Sequence, residues 1–155
     1  MSHWQAGKMK LKCSLSILQR ALIKIMPEWK DHIHVDPQGK IPIYTYTGQR
    51  LGGDTFHLIV PGKANPNYAK APHVKYNDIG LKQSPDGTWE IQIDRSGLPQ
   101  QIHNFEEKVT GRVTEMRAKQ NAINMGFRPL GQVEEGGKII IRMRGKVPEQ
   151  YKIRG

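Results

Sequence analysis

A single cysteine, Cys13, is the only thiol in this 155-residue chain. That scarcity excludes an internal disulfide and a cysteine-based zinc site. Long apolar runs are missing as well. The longest candidate, Leu15 to Met26, is interrupted by Ser16, Gln19, Arg20 and Lys24. Nothing approaches the roughly 18–20 apolar residues that cross a bilayer, so no membrane span is expected. The opening Met1-Ser2-His3-Trp4-Gln5 lacks the apolar core of a signal peptide, which makes an unexported, cytoplasmic protein the expectation. Acid is the third shortage: 14 Asp and Glu face 24 Lys and Arg, a formal net charge of +10. Such an excess on a small chain favours nucleic acid, acidic protein surfaces or anionic membranes as partners.

What is present fits a folded protein. A hydrophobic fraction of 37% with 25% charged residues is globular rather than disordered, and 16 Gly and 10 Pro announce many turns. The length suffices for one domain with a core. Positive charge gathers towards the ends. Residues 1–75 hold eleven cations and four acids, residues 76–155 thirteen and ten, and from Lys138 onward six cations accompany only Glu149.

Two basic segments show strand alternation. Lys8-Met9-Lys10-Leu11-Lys12-Cys13 and Ile139-Ile140-Ile141-Arg142-Met143-Arg144 each place apolar residues on one face and cations on the other. Placed in one sheet, their cations would form a shared electropositive surface. Lys8, Lys10, Lys12, Arg142, Arg144 and Lys146 would then contact phosphates, and Tyr44 and Tyr46, on one face of a strand, would stack on exposed bases.

Between these segments the chain predicts a helix from about Leu15 to Met26, capped by Ser16 with Gln19 or by Ser14, and ended by Pro27. Its inward stripe is Leu15, Leu18, Leu22 and Ile25. His32–Val35, Ile41–Tyr46 and Thr55–Val60 read as strands, with a turn at Asp36–Gly39 and a connection at Gly48–Asp54. Pro42 puts its strand at an edge. Pro61–His73 reads as a long surface loop. Ile79–Gln83 and Thr88–Ile93 flank Ser84-Pro85-Asp86-Gly87, the clearest hairpin in the chain. A second helix spans about Phe105–Met125, with Asn104 and Glu107 at capping-box spacing and a stripe of Phe105, Val109, Val113, Met116 and Ile123. A last hairpin pairs Gln132–Glu134 with Lys138–Arg144. This order predicts an α+β fold: a single mainly antiparallel sheet with two helices on one face. Residues 1–144 form that domain, with an insertion at about 61–73, and residues 145–155 a basic tail.

The order of motifs resembles a small family, the hypothetical chloroplast reading frame thirty-five group of cyanobacteria and algal plastids, with wider bacterial and phage relatives. The matching features are Met1-Ser2-His3-Trp4, the Leu18–Met26 helix, Tyr46-Thr47-Gly48-Gln49-Arg50, a strand like Thr55–Val60, Tyr76-Asn77-Asp78-Ile79-Gly80-Leu81, the Asp-Gly hairpin, and Lys119-Gln120-Asn121-Ala122 in the long helix. They span about residues 1–144. The Pro61–His73 loop is longer than the family pattern, and Lys146–Gly155 is added to it. The resemblance implies no established activity. It implies an accessory role, since some relatives accompany AAA-type ATPase genes, and a cytoplasmic or plastid-stromal location.

Catalytic signatures are weak by comparison. His32 and His34 share a strand face and His57 lies on a neighbouring strand, so three imidazoles could converge on zinc, yet no H-E-x-x-H signature is present. Cys13 sits in an apolar register, and Ser84 lies in a turn rather than a nucleophile elbow. Glu106-Glu107 suits a helix N-terminus better than a carboxylate pair, and the adjacent Glu134-Glu135 is equally ill suited to converge on a substrate. Gly48–Gly53 matches no phosphate-binding or dinucleotide fingerprint, and no cofactor is implied. The expectation is a non-catalytic basic protein that contacts RNA or a ribonucleoprotein. Its alternatives are an adaptor of a protein machine such as an AAA-type ATPase, and an enzyme with a closed polar pocket around His34 or His57.

Overall fold

A computed structural model describes residues 4–95, 104–135 and 138–145. The chain forms two compact units, Met1–Thr110 and Gly111–Gly155. The architecture is α+β, with a five-stranded antiparallel sheet at its centre. That sheet is built from β1 (Trp4–Lys12), β2 (His34–Val35), β5 (Leu58–Val60), β6 (Ile79–Gln83) and β7 (Thr88–Asp94), in the order β1-β7-β6-β5-β2. Two further strands, β3 (Ile41–Tyr44) and β4 (Arg50–Phe56), pair with each other. No helix among the described residues is long and apolar enough to cross a membrane.

Alternation sets the two faces of the large sheet. Gly7, Ile91, Leu81 and Leu58 lie opposite one another across four strands. Met9 and Trp89 continue that face, and Met9, Trp89, Ile91, Leu81 and Leu58 are all buried. The other face carries the row Ala6, Gln92, Gly80 and Ile59 and the row Lys8, Glu90 and Lys82. This second face is only partly open. Ile43 and Phe56 of the β3–β4 pair form a buried cluster with Ile59, and a side chain at Gly80 would strike both. All three β5 residues are therefore buried, which explains the uninterrupted apolar run Leu58-Ile59-Val60.

The chain passes from the small pair to the large sheet through one residue, His57. Its carbonyl accepts from the Asp36 amide (2.8 Å), its amide donates to the Leu81 carbonyl (3.0 Å), and its Nδ1 accepts from the Gln83 amide (3.0 Å). The expected connection Gly48–Asp54 is largely strand, and its glycines Gly52 and Gly53 fall where the register with β3 shifts, between the Tyr44–Arg50 and Pro42–Thr55 pairs, with Gly52 at φ +52°.

The first helix, α1 (Leu15–Ile25), buries Leu18, Ala21 and Leu22. Its cap is Ser14, whose side chain accepts from the Ile17 amide (3.2 Å), rather than Ser16. Pro27 opens a single 3-10 turn, Pro27–Trp29, and Trp29 is fully buried with its ring 6.4 Å from that of Phe105. The Ser84–Gly87 hairpin forms as expected. The Ser84 amide donates to the Thr88 carbonyl (2.7 Å), Asp86 accepts from the Thr88 amide and hydroxyl, and Gly87 adopts φ +90°.

The second helix, α2 (Phe105–Asn124), crosses from one unit into the other. Phe105, Val109 and Val113 are buried as the spacing requires. The expected stripe then fails: Ile123 is 48% exposed, while Glu115 is 3% exposed. Arg112 Nη1 and Lys119 Nζ, each 3.0 Å from a Glu115 oxygen, supply the counter-charge from three residues before and four after. In the second unit β8 (Phe127–Glu135) pairs antiparallel with β9 (Lys138–Gly145).

Candidate nucleic-acid interface

The two cationic strands belong to different sheets. β1 is an edge of the five-stranded sheet, and β9 pairs with β8, so no hydrogen-bonded sheet contains both. Lys8, Lys10 and Lys12 are exposed. Arg142 lies opposite Gly131 and Arg144 opposite Arg128. Lys146 is outside the described residues.

Acids accompany the β1 lysines. Lys8 stands opposite Glu90, and its Nζ is 3.7 Å from Asp86. The Thr88 hydroxyl and amide hold the Asp86 carboxyl below the usual carboxylate range, with the charges of Lys8 and Lys12 adding to the effect. Lys82 lies over the Phe56 ring at 5.7 Å and 3.8 Å from Asp54. A groove of about 360 Å³ on this face is lined by Lys8, Lys82, Asp54 and Glu90 among others, so its charges alternate.

A stretch of more one-sided charge lies in the middle of the chain. Between Asp36 and Asp78 there is one acid, Asp54, against five cations, Lys40, Arg50, Lys63, Lys70 and Lys75. Four of the five tyrosines, Tyr44, Tyr46, Tyr68 and Tyr76, fall in the same stretch. The structure folds its two halves together at one anchor. Asp78, 1% exposed, accepts through Oδ1 from the Gly62 amide (2.6 Å) and through Oδ2 from the Tyr44 amide (2.9 Å) and Asn65 Nδ2 (2.8 Å). Burial pushes its carboxyl above the ordinary value, and these three hydrogen bonds oppose that rise without cancelling it. Beside it, Asn77 Oδ1 accepts from the Tyr46 amide (2.6 Å) while Nδ2 donates to Asp94 (2.7 Å).

This anchor fixes the tyrosines. β3 ends at Tyr44, and Tyr46 sits in the turn closed by Thr45 and Gln49, so the two do not share a strand face as the alternation suggested. The turn needs Gly48 at φ +85°, which breaks the strand. Tyr44 is half-buried, but Tyr46 and Tyr76 are 40% and 43% exposed and meet edge to face, 6.3 Å between centroids. Lys63 and Lys75 are exposed nearby. The Lys63 amide donates to the Tyr76 carbonyl (2.9 Å), and Lys75 precedes Tyr76 in sequence.

The Pro61–His73 segment is a surface loop with firm internal and external ties. Ala71 donates to the Pro61 carbonyl (2.9 Å), Asn65 Oδ1 accepts from the Asn67 and Tyr68 amides, and Tyr68 stacks on His34 at 3.6 Å. Trp29 Nε1 donates to the Pro72 carbonyl at 2.6 Å. Trp29→Phe removes this donor and, with a smaller ring in a fully buried position, leaves a cavity. It is expected to cost about 2–4 kcal/mol, to lower the melting temperature by several degrees, and to speed proteolysis within residues 61–73.

The histidines have separate partners. His34 stacks on Tyr68, and its pKa lies below the ordinary value because of burial first and the neighbouring His32 second. His57 Nδ1 is occupied by the Gln83 amide, and its ring meets Trp89 edge-on at 5.8 Å. Among the described residues no three His, Cys, Asp or Glu side chains gather as a metal site. The Cys13 carbonyl accepts from Trp89 Nε1 (3.0 Å), and the residue is buried.

Comparison with protein-family models, with curated proteins and with solved structures gave no match.

Proposed function

We propose that this is a non-catalytic binding protein for RNA, free or within a ribonucleoprotein. The observation that carries this reading is the stretch between Asp36 and Asp78, with five cations, four tyrosines and one acid, folded onto itself at Asp78. A phosphate backbone is attracted by clustered cations, and tyrosines beside them offer contacts that a simple counter-charge would not need. The sole acid of the stretch, Asp54, is directed to Lys82. The β1 lysines Lys8, Lys10 and Lys12 add exposed cations in the same unit, and the sequence adds Arg142, Arg144 and Lys146 further along the chain.

Retention of labelled RNA across a salt series tests this. The double variant Lys63→Glu/Lys75→Glu is expected to reduce the slope of log affinity against log salt by about 1.4, at about 0.7 for each phosphate contact on a single strand. Lys10→Glu/Lys12→Glu is expected to weaken binding with a smaller change. Retention unaltered by both pairs would sink the reading. The rival role, an adaptor on an AAA-type ATPase or similar machine, would show instead as a protein partner that survives nuclease treatment.

A further inference from the structure

We infer that the corner formed by Tyr46 and Tyr76 is a stacking site for an unpaired base, with Lys63 and Lys75 taking the flanking phosphates. This rests on the nucleic-acid reading above and adds that the ligand is single-stranded. Three features converge on it. First, the two rings are large, exposed and in contact, so part of each ring surface is already dry while the remainder faces solvent. Every base has a face to lay on such a ring, and base–aromatic stacking tolerates sequence. In a duplex those faces are already stacked on each other and are not available.

Second, the backbone that carries the two rings is tied in place. The Tyr46 amide donates a hydrogen bond to Asn77 Oδ1, and the Thr45–Gln49 and Gly48–Thr45 hydrogen bonds close its turn. Tyr76 is fixed by its carbonyl, which accepts from Lys63, and by the neighbouring Asn77 and Asp78. A platform positioned before the ligand arrives loses little conformational freedom on binding. Third, the exposed charges carried by these segments are cationic: Lys75 precedes Tyr76, the Lys63 amide bonds the Tyr76 carbonyl, and Arg50 is paired with Tyr44 across β3 and β4. The neighbouring acid, Asp78, is buried and accepts from Gly62, Tyr44 and Asn65. Stacking groups flanked by cations are what a backbone with protruding bases requires. Tyr44, half-buried at the anchor, is left to structure.

Fluorescence anisotropy with three labelled probes tests this: oligouridylate, oligothymidylate and a duplex RNA, each of roughly ten nucleotides, within the site sizes of single-strand binders. The wild type is expected to prefer both single strands to the duplex. Tyr46→Ser/Tyr76→Ser is expected to weaken single-strand binding about tenfold with the salt slope unchanged, and Tyr46→Phe/Tyr76→Phe to restore it. Equal binding of the two single strands assigns the site to bases and phosphates alone; tighter binding of the RNA adds a contact to the 2′-hydroxyl. Photocrosslinking of 4-thiouridine RNA to the wild type, mapped by mass spectrometry, needs no variant to fold and is expected to mark Tyr46 or Tyr76. Crosslinks only elsewhere, or serine variants that bind like wild type while Lys63→Glu/Lys75→Glu weakens binding, would overturn the stacking site and leave the nucleic-acid reading standing. A folded wild type that binds none of the three probes would remove both.

Discussion

Asp78→Asn should destabilise the protein by about 2–4 kcal/mol, although the two side chains have nearly the same shape. The reason is the donor count. Both Asp78 oxygens accept, from the Gly62 amide on one side and from the Tyr44 amide and Asn65 Nδ2 on the other, and the group is buried. An asparagine replaces one oxygen with an NH₂. Turned either way, that NH₂ faces at least one N–H it cannot accept from, leaving two donors opposed in a dry site. Chemical denaturation at neutral pH measures the loss; a change below about 0.5 kcal/mol, the ordinary surface range, would show that the carboxylate does not hold these segments together. The pH dependence has a definite sign. The folded pKa of Asp78 lies above its ordinary value, chiefly through burial. The pH-linked part of its contribution is therefore fully present below that ordinary value and is lost as pH rises through the folded pKa, while the three hydrogen bonds to the carboxylate remain at neutrality. The gap between wild type and Asp78→Asn should accordingly be wider in acid than at neutrality.

The residues at this anchor also mark where sequence reasoning ran out. Local signals located most elements. Ser84-Pro85-Asp86-Gly87 forms its hairpin, Pro27 stops α1 where its ring must, and the alternation of Met9 and Leu11 with lysines finds the second half of β1, which begins earlier, at Trp4. Each of these rests on contacts a few residues apart or on one period. The anchor joins positions 16 to 34 residues apart, Asp78 to Gly62 and Tyr44, and no periodicity announces it. Its one visible trace was the tract Tyr76-Asn77-Asp78, two polar residues directly before the apolar strand Ile79–Leu81, read as a motif without a mechanism. Buried Asn and Asp beside a strand start are a signal worth following, because such groups must find partners. Tyr68 and Tyr76 carry no periodic signal of a binding role because they lie in irregular segments, whereas Tyr44 and Tyr46 gain false prominence from an apparent strand that Gly48 ends early. The same limit applies to Ile123 and Glu115. Helical spacing identifies one face, but it does not say how far along α2 that face remains covered.

Gly62→Ala should be at least as damaging, and it bears on binding as well as stability. The added methyl would fall against the Tyr76 carbonyl oxygen, 2.6 Å from Asn77 C and 2.8 Å from Asn77 O. All three are backbone atoms in a segment fixed by Asn77 and Asp78, so no side-chain rotation relieves the clash. The two segments must part. Parting them lengthens the Gly62–Asp78 bond and the Lys63–Tyr76 bond together, so overpacking is compounded by two weakened hydrogen bonds. A loss of about 3 kcal/mol or more is expected. Gly80→Ala is the matched comparison. Its methyl would meet Phe56 Cδ1 at 2.7 Å, Phe56 Cγ at 2.9 Å and Ile43 Cγ2 at 3.0 Å, less severe crowding that falls on side chains of a buried cluster rather than on backbone. That variant should lose about 1–2 kcal/mol and leave the tyrosine corner in place. At a temperature where both remain folded, Gly62→Ala should bind single-stranded RNA more weakly than Gly80→Ala, because its strain falls on the backbone that carries Tyr76 and Lys63. Equal stability of the two would mean that the Gly62 and Asn77 segments yield freely, and a platform carried on backbone that yields would not be preorganised for a base.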